Sequence, residues 1–267
     1  YTDITQSLSL GGLTYGVTNM ELTSAYASIA NGGTYEKPVL YTKVVDQNGN
    51  ILLSNTQKGK RVMKESTAFL LTDAMKDVIT KGTGKSAKLS SSMAVAGKSG
   101  TTSNSYDYWF SGYTPYHTAS VWMGYDKNTN FASDNTHKKI WAKVMNEIIK
   151  TKQEQPTDFK KPADIVKAKV CKESGKLAIK GVCDHDPRGS SVITEYFEKG
   201  TVPTQTCDIH VAVEVCKTSD KLAIKNCPAN KKQRKIYIVR KKGSHGKTAD
   251  TPYLLPKKYQ SVFCKKH

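Results

Sequence analysis

The stretch that most constrains this chain runs Val95-Ala96-Gly97-Lys98-Ser99-Gly100-Thr101-Thr102 and resumes as Asp107-Tyr108-Trp109-Phe110-Ser111-Gly112-Tyr113. Its small apolar start fits a strand buried on both faces. Gly97 and Gly100 bracket the one charge, Lys98, and glycine at such positions lets another backbone or a substrate approach closely. A lysine, two small hydroxyl residues and an exposed backbone amide on one strand edge form a receiver for a carboxylate or an oxyanion. An extended peptide can add beside such an edge as an extra strand. The competing reading is a plain surface strand with a solvated lysine.

The surrounding pattern predicts a sheet with helices against it. Thr18-Asn19-Met20-Glu21 is a capping box, followed by Leu22, Ala25, Tyr26 and Ile29 at helical spacing and stopped by Asn31-Gly32-Gly33. Residues 39–45 and 51–53 read as a hairpin around a five-residue loop. A second helix spans about residues 64–80, with Phe69, Leu70, Ala74, Met75 and Val78 inward. Strands near 93–101, 108–113 and 119–125 have short connections and imply an antiparallel meander. Ile140, Trp141, Val144, Met145 and Ile148 then mark a closing helix over 137–149. Gly84-Lys85-Ser86 imitates the end of a phosphate loop, but the motif needs a glycine where Ile79 stands, and a helix precedes it.

Lys98-Ser99-Gly100-Thr101 carries a K-[ST]-G element of the kind found in penicillin-binding proteins and class A β-lactamases. Residues 109–115 (Trp-Phe-Ser-Gly-Tyr-Thr-Pro), 121–126 (Val-Trp-Met-Gly-Tyr-Asp), 10–18 and 25–33 also resemble the transpeptidase domain of bifunctional, class A penicillin-binding proteins. The resemblance covers about residues 1–150. It implies an α/β fold of the α+β type, an antiparallel sheet flanked by helices. It also implies a serine acyltransferase that cross-links peptidoglycan, with a D,D-carboxypeptidase or a non-catalytic wall-binding or sensor protein as alternatives. Lys98 and Thr101 would then be catalytic, and Ser99, Gly100 and Thr102 would bind substrate. The Thr101 amide would supply one oxyanion donor, worth about 3 to 4 kcal/mol of barrier. The implied partners are a peptidoglycan stem peptide and β-lactam antibiotics, at the extracytoplasmic face of a bacterial membrane, with no cofactor for transpeptidation.

The nucleophile expected of this family, a serine in S-x-x-K, has one literal match, Ser244-His245-Gly246-Lys247, in a glycine-containing basic segment that makes a poor helix. Ser133-Asp134-Asn135 matches S-x-N but follows the Lys98 strand, whereas the family places that element upstream. The expectation is that both elements belong to an N-terminal half of the domain preceding Tyr1, a partner without which this stretch is inactive. No apolar run approaches the roughly 18 residues needed to span a bilayer, and the first residues read as neither signal peptide nor anchor.

Composition changes beyond residue 157, so the reading is a transpeptidase portion over 1–157 and a small basic β domain over 158–267, joined by a linker near 151–162. Net charge is +18, and from Lys160 onward 24 Lys and Arg stand against 10 Asp and Glu. Val170-Cys171, Lys176-Leu177-Ala178-Ile179 and Cys183 recur as Val215-Cys216, Lys221-Leu222-Ala223-Ile224 and Cys227. All six cysteines fall here, which predicts disulfides Cys171–Cys183, Cys216–Cys227 and Cys207–Cys264 in an oxidising compartment. Zinc is the rival, set aside because no C-x-x-C pair exists and His185 and His210 show no ligand spacing. The basic run over 231–242 suits an anionic wall polymer or membrane surface. Nucleic acid is disfavoured, since Tyr237 is the sole aromatic in the run.

Overall fold

The computed structural model describes residues 3–56, 58–240 and 248–266. Thr18 opens α1 (Asn19–Ala30) with a complete capping box: its hydroxyl accepts the Glu21 amide, and the Glu21 carboxylate accepts the Thr18 amide at 2.8 Å. Four short strands follow, β1 (Thr34–Tyr35), β2 (Lys43–Val45), β3 (Ile51–Ser54) and β4 (Lys60–Arg61), pairing β1 with β4 and β2 with β3. The Asp46 carboxylate closes the β2–β3 turn by accepting the Asn48 and Asn50 amides, each at 2.8 Å.

Along α2 (Glu65–Thr80) the buried stripe is Ser66, Ala68, Thr72, Met75 and Ile79. The sequence predicted Phe69, Leu70 and Ala74 inward instead. The stripe is narrow because α2 lies against a sheet whose nearest side chains are large: the Tyr113 hydroxyl reaches Thr72 Oγ1 at 2.8 Å, which rewards a small polar residue over a bulky one.

That sheet is β5 (Ala96–Thr101), β6 (Asp107–Tyr113) and β7 (Thr118–Gly124), antiparallel in the order β5-β6-β7, as the short connections predicted. Its register sets Ser99 opposite Phe110 and Lys98 opposite Ser111. Side chains alternate across a strand, so the two halves of the core follow. Phe110 faces α3 (Thr136–Lys152), meeting Trp141 edge-on at 5.2 Å in a cluster with Met145 and Ile79. Ala96 and Tyr113 face the other way, onto Met75 of α2 and Tyr26 of α1. Gly97 has a structural task here: a Cβ would meet Phe110 Cζ and the Ser111 carbonyl, each at 2.8 Å.

Residues 153–159, expected to be a linker, are tied to this unit. Glu154 Oε1 meets His117 Nε2 at 2.6 Å, the Ala94 amide donates to the Thr157 carbonyl at 3.0 Å, and Phe159 packs edge-on against Tyr113. Two compact units result, Tyr1–Ala163 and Asp164–His267.

The second unit holds β8 (Ile165–Cys171) paired with β9 (Val192–Glu198), and β10 (His210–Cys216) between β11 (Lys221–Leu222) and β12 (Lys232–Ile238), with a short α4 (Lys258–Ser261). The sequence repeat is also a structural one. Gly175 and Asp220 take the same left-handed turn position, with φ of +68° and +47°, and their amides return to the Cys171 and Cys216 carbonyls at 2.8 Å.

The disulfide framework is corrected. All six cysteines are free thiols in two separate triads: Cys171 with Cys183 and Cys207, and Cys216 with Cys227 and Cys264. A Cys207–Cys264 pair would have to bridge them. The reason is backbone pairing invisible in the spacing: Thr206 runs parallel to Leu177 and Phe263 parallel to Leu222. Cys207 and Cys264 therefore donate their amides to the Leu177 and Leu222 carbonyls at 2.8 Å, each beside its own repeat. Among the described residues no helix is long and apolar enough to cross a membrane.

Candidate active-site strand

β5 is an edge strand, so one rim of its backbone N–H and C=O groups faces no neighbouring strand among the described residues. An extended peptide can pair with such a rim. Lys98 stands exposed at the middle of the strand, its ammonium donating to the Ser99 carbonyl at 2.7 Å. Alternation separates the motif: Lys98 and Gly100 share one face, Ser99 and Thr101 the other. Only the outer rim of the strand is common to both. Ser99 Oγ meets Thr83 Oγ1 at 2.9 Å, and Thr101 ends the strand exposed. Thr102 is turned into the loop, where its hydroxyl accepts the Tyr106 and Asp107 amides at 3.1 and 3.0 Å. Gly100 is open, since a Cβ there would touch only Trp109 Cβ at 3.5 Å.

Sequence reasoning missed a hydroxyl row on the Lys98 face. Ser111 lies opposite Lys98 and Ser120 opposite Ser111. Ser111 is 2% exposed, and its Oγ meets Ser120 Oγ at 2.7 Å. The signal was present as register: once the meander is drawn, Lys98, Ser111 and Ser120 fall in line across three strands.

A second cation bears on Lys98. Lys138, buried at the start of α3, donates to Asn135 Oδ1 at 2.7 Å. Burial, and then the charge of Lys98, push its pKa down. Burial and the Lys138 charge likewise lower the pKa of His137, whose Nδ1 meets Ser133 Oγ at 3.2 Å. Asp134 is pulled down to about 2 by hydrogen bonds from Thr136 and Lys139. Ser133-Asp134-Asn135 is thus occupied in starting α3, with Asn135 in the left-handed region at φ +69°.

Gly84 closes the end of α2 through its amide to the Val78 carbonyl at 2.8 Å. Ser244 and Lys247 lie outside the described residues. A cleft of about 600 Å³ lies between α1 and the β6–β7 turn, lined by Thr23, Asn31 and His117 among others, and not by Lys98. In the basic run, Lys235 pairs with Asp220 at 3.7 Å and Arg240 with Asp250 at 3.3 Å; Lys241 and Lys242 lie outside the described residues.

Compared with known families, residues 3–150 match the penicillin binding protein transpeptidase domain. This chain belongs to the penicillin-binding protein transpeptidase family. Residues 161–212 match a second family, the C-terminal domain of penicillin-binding protein 1A. Penicillin-binding protein 1A of Clostridium botulinum is 37% identical over 256 residues, 94% of this chain and 30% of the relative. Penicillin-binding protein 1A/1B of Bacillus subtilis is 31% identical over 220 residues, 76% of this chain and 24% of the relative. The chain therefore spans about a third or less of the length of these family members. The crystal structure of penicillin-binding protein 1A from Haemophilus influenzae shares the fold, with a TM-score of 0.60 at 23% identity over 76% of this chain and 35% of that one.

Proposed function

We propose that this chain supplies the substrate-pairing wall of a peptidoglycan D,D-transpeptidase. The observation that carries the reading is the free rim of β5, with Lys98 exposed at its centre, inside the segment that matches the transpeptidase family. A stem peptide ending in D-Ala-D-Ala would align along that rim, its terminal carboxylate drawn by the positive field of Lys98 and Lys138. The Thr101 amide would donate to the developing oxyanion. A serine would attack the penultimate D-Ala carbonyl, D-Ala would leave, and an amine on a neighbouring peptide would take the acyl group. β-Lactams would acylate the same serine.

That serine is assigned to a part of the whole protein outside these 267 residues, in line with the share of the relatives' length covered here. The work would be done on the extracytoplasmic face, where peptidoglycan is cross-linked. The basic run over residues 231–242 suits an anionic wall polymer or membrane surface nearby.

The test is intact mass of the full-length protein under denaturing conditions after timed exposure to benzylpenicillin. Wild type should gain one penicillin, and Lys98→Ala should acylate at least about a hundredfold more slowly, the low end for loss of a proton-handling group. Acylation of Lys98→Ala at the wild-type rate, or no adduct on wild type, would overturn the reading.

A further inference from the structure

We propose that Cys171, Cys183, Cys207 and His210 form a tetrahedral Cys3His site for a divalent ion of the zinc class, which staples the second unit. The four ligand atoms lie within 4.8 Å of one another, and all four residues are buried, none more than 5% exposed. His210 Nδ1 is 3.4 Å from both Cys171 Sγ and Cys207 Sγ. In a zinc tetrahedron with Zn–S of about 2.3 Å and Zn–N of about 2.0 Å, a sulfur–nitrogen edge is about 3.5 Å.

The hydrogen-bond alternatives fit less well. A neutral Nδ1 has one lone pair, so only one of the two thiols can donate to it. A disulfide could join two of the three sulfurs and would leave the third buried and unpaired. One central cation satisfies all four donors together.

The surroundings are those that orient a metal-binding histidine. His210 Nε2 meets Asp186 Oδ2 at 2.7 Å, which sets the tautomer: Nε2 carries the proton and the Nδ1 lone pair points at the sulfurs. Asp186, its side chain fully buried, accepts in turn from Ser191 Oγ at 2.6 Å and from Arg188 Nη2 at 2.8 Å. The Ile179 amide donates to Cys183 Sγ at 3.3 Å, the kind of bond that stabilises a thiolate.

The repeat supplies an independent line. Cys216, Cys227 and Cys264 are likewise buried within 4.8 Å of one another, and the Ile224 amide reaches Cys227 Sγ at 3.4 Å, as Ile179 reaches Cys183. Cys207-Asp208-Ile209-His210 and Cys264-Lys265-Lys266-His267 share one spacing, C-x2-H, each third cysteine followed by a histidine. His267 lies outside the described residues. Three separated stretches converge on the first site: the end of β8, the turn after Ile179 and the start of β10.

The full-length protein, purified without chelator, should carry zinc by elemental analysis, at about one to two ions per chain. Cys207→Ser should remove one equivalent. Asp186→Asn, a positioning variant that spares all four ligands, should keep the stoichiometry at saturating zinc and weaken binding about ten- to a hundredfold in competition with a chromogenic chelator. Cobalt loaded in place of zinc should show the intense visible bands of a tetrahedral thiolate site, weakened in Cys207→Ser. Protein free of metal in which non-reducing peptide mapping joins Cys171 to Cys183 or Cys207 would overturn the proposal. So would a metal content and affinity unchanged by both Cys207→Ser and Asp186→Asn.

Discussion

The first unit fully buries Trp141, Tyr113, Phe110 and Met145, whereas the largest side chains fully buried in the second are Ile165, Val215 and cysteines. One is held by interlocked aromatic and aliphatic side chains on both faces of a sheet. The other has two small centres, each a cysteine triad ringed by half-buried aliphatics such as Ala178 and Ile179, or Ala223 and Ile224. A small β unit rich in lysine cannot remove enough apolar surface from water to offset the entropy of ordering its loops. Donor atoms gathered about a point solve that problem differently, and they explain why every cysteine lies in one unit and none in the other.

The contrast can be broken by stripping metal. Structural zinc in small domains contributes on the order of 10 kcal/mol of folding free energy. Prolonged treatment of the full-length protein with a strong chelator should open the stretch from Asp164 onward to proteases while the β5–β7 segment stays protected. Limited proteolysis read by mass spectrometry checks this, and equal resistance in both regions would remove the contrast.

Trp141→Ala should do the reverse, costing about 3 to 5 kcal/mol, because the indole is fully buried against Phe110 and its Nε1 donates to the Ala119 carbonyl at 2.9 Å. Hydrogen exchange should show lost protection in β6 and β7 with the second unit unchanged.

Gly97→Ala is a finer probe, at about 1 to 3 kcal/mol. The added methyl meets the Ser111 carbonyl and the Gly112 Cα, backbone that cannot swing aside. A denaturant midpoint equal to wild type would mean that β5 shifts outward freely on its unpaired rim.

Much of the first unit was legible in the chain. The capping box at Thr18, the meander and the Trp141 helix follow from local chemistry and period, and Lys98 on an edge strand follows from the meander. The inward face of α2 was not, because Thr72 is buried by its bond to Tyr113, 41 residues away. Period two by itself also splits Lys98 from Ser99 onto opposite faces. In the second unit the repeat was plain, but the cysteine partners were misassigned. Nearness along the chain favours Cys171 with Cys183 and leaves Cys207 to Cys264, whereas the C-x2-H spacing brings Cys207 and His210 to one point.

The sequence alone determined the capped first helix, the closing helix, the antiparallel meander and the place of Lys98 in it, because these rest on periodicity and short-range hydrogen bonding, and its motifs pointed to the family to which the chain belongs. The tertiary structure alone decided which distant side chains share a buried point: Thr72 with Tyr113, and Cys207 and His210 beside Cys171. Such meetings are fixed by strand register and parallel bridges between distant segments, which no spacing within one segment encodes.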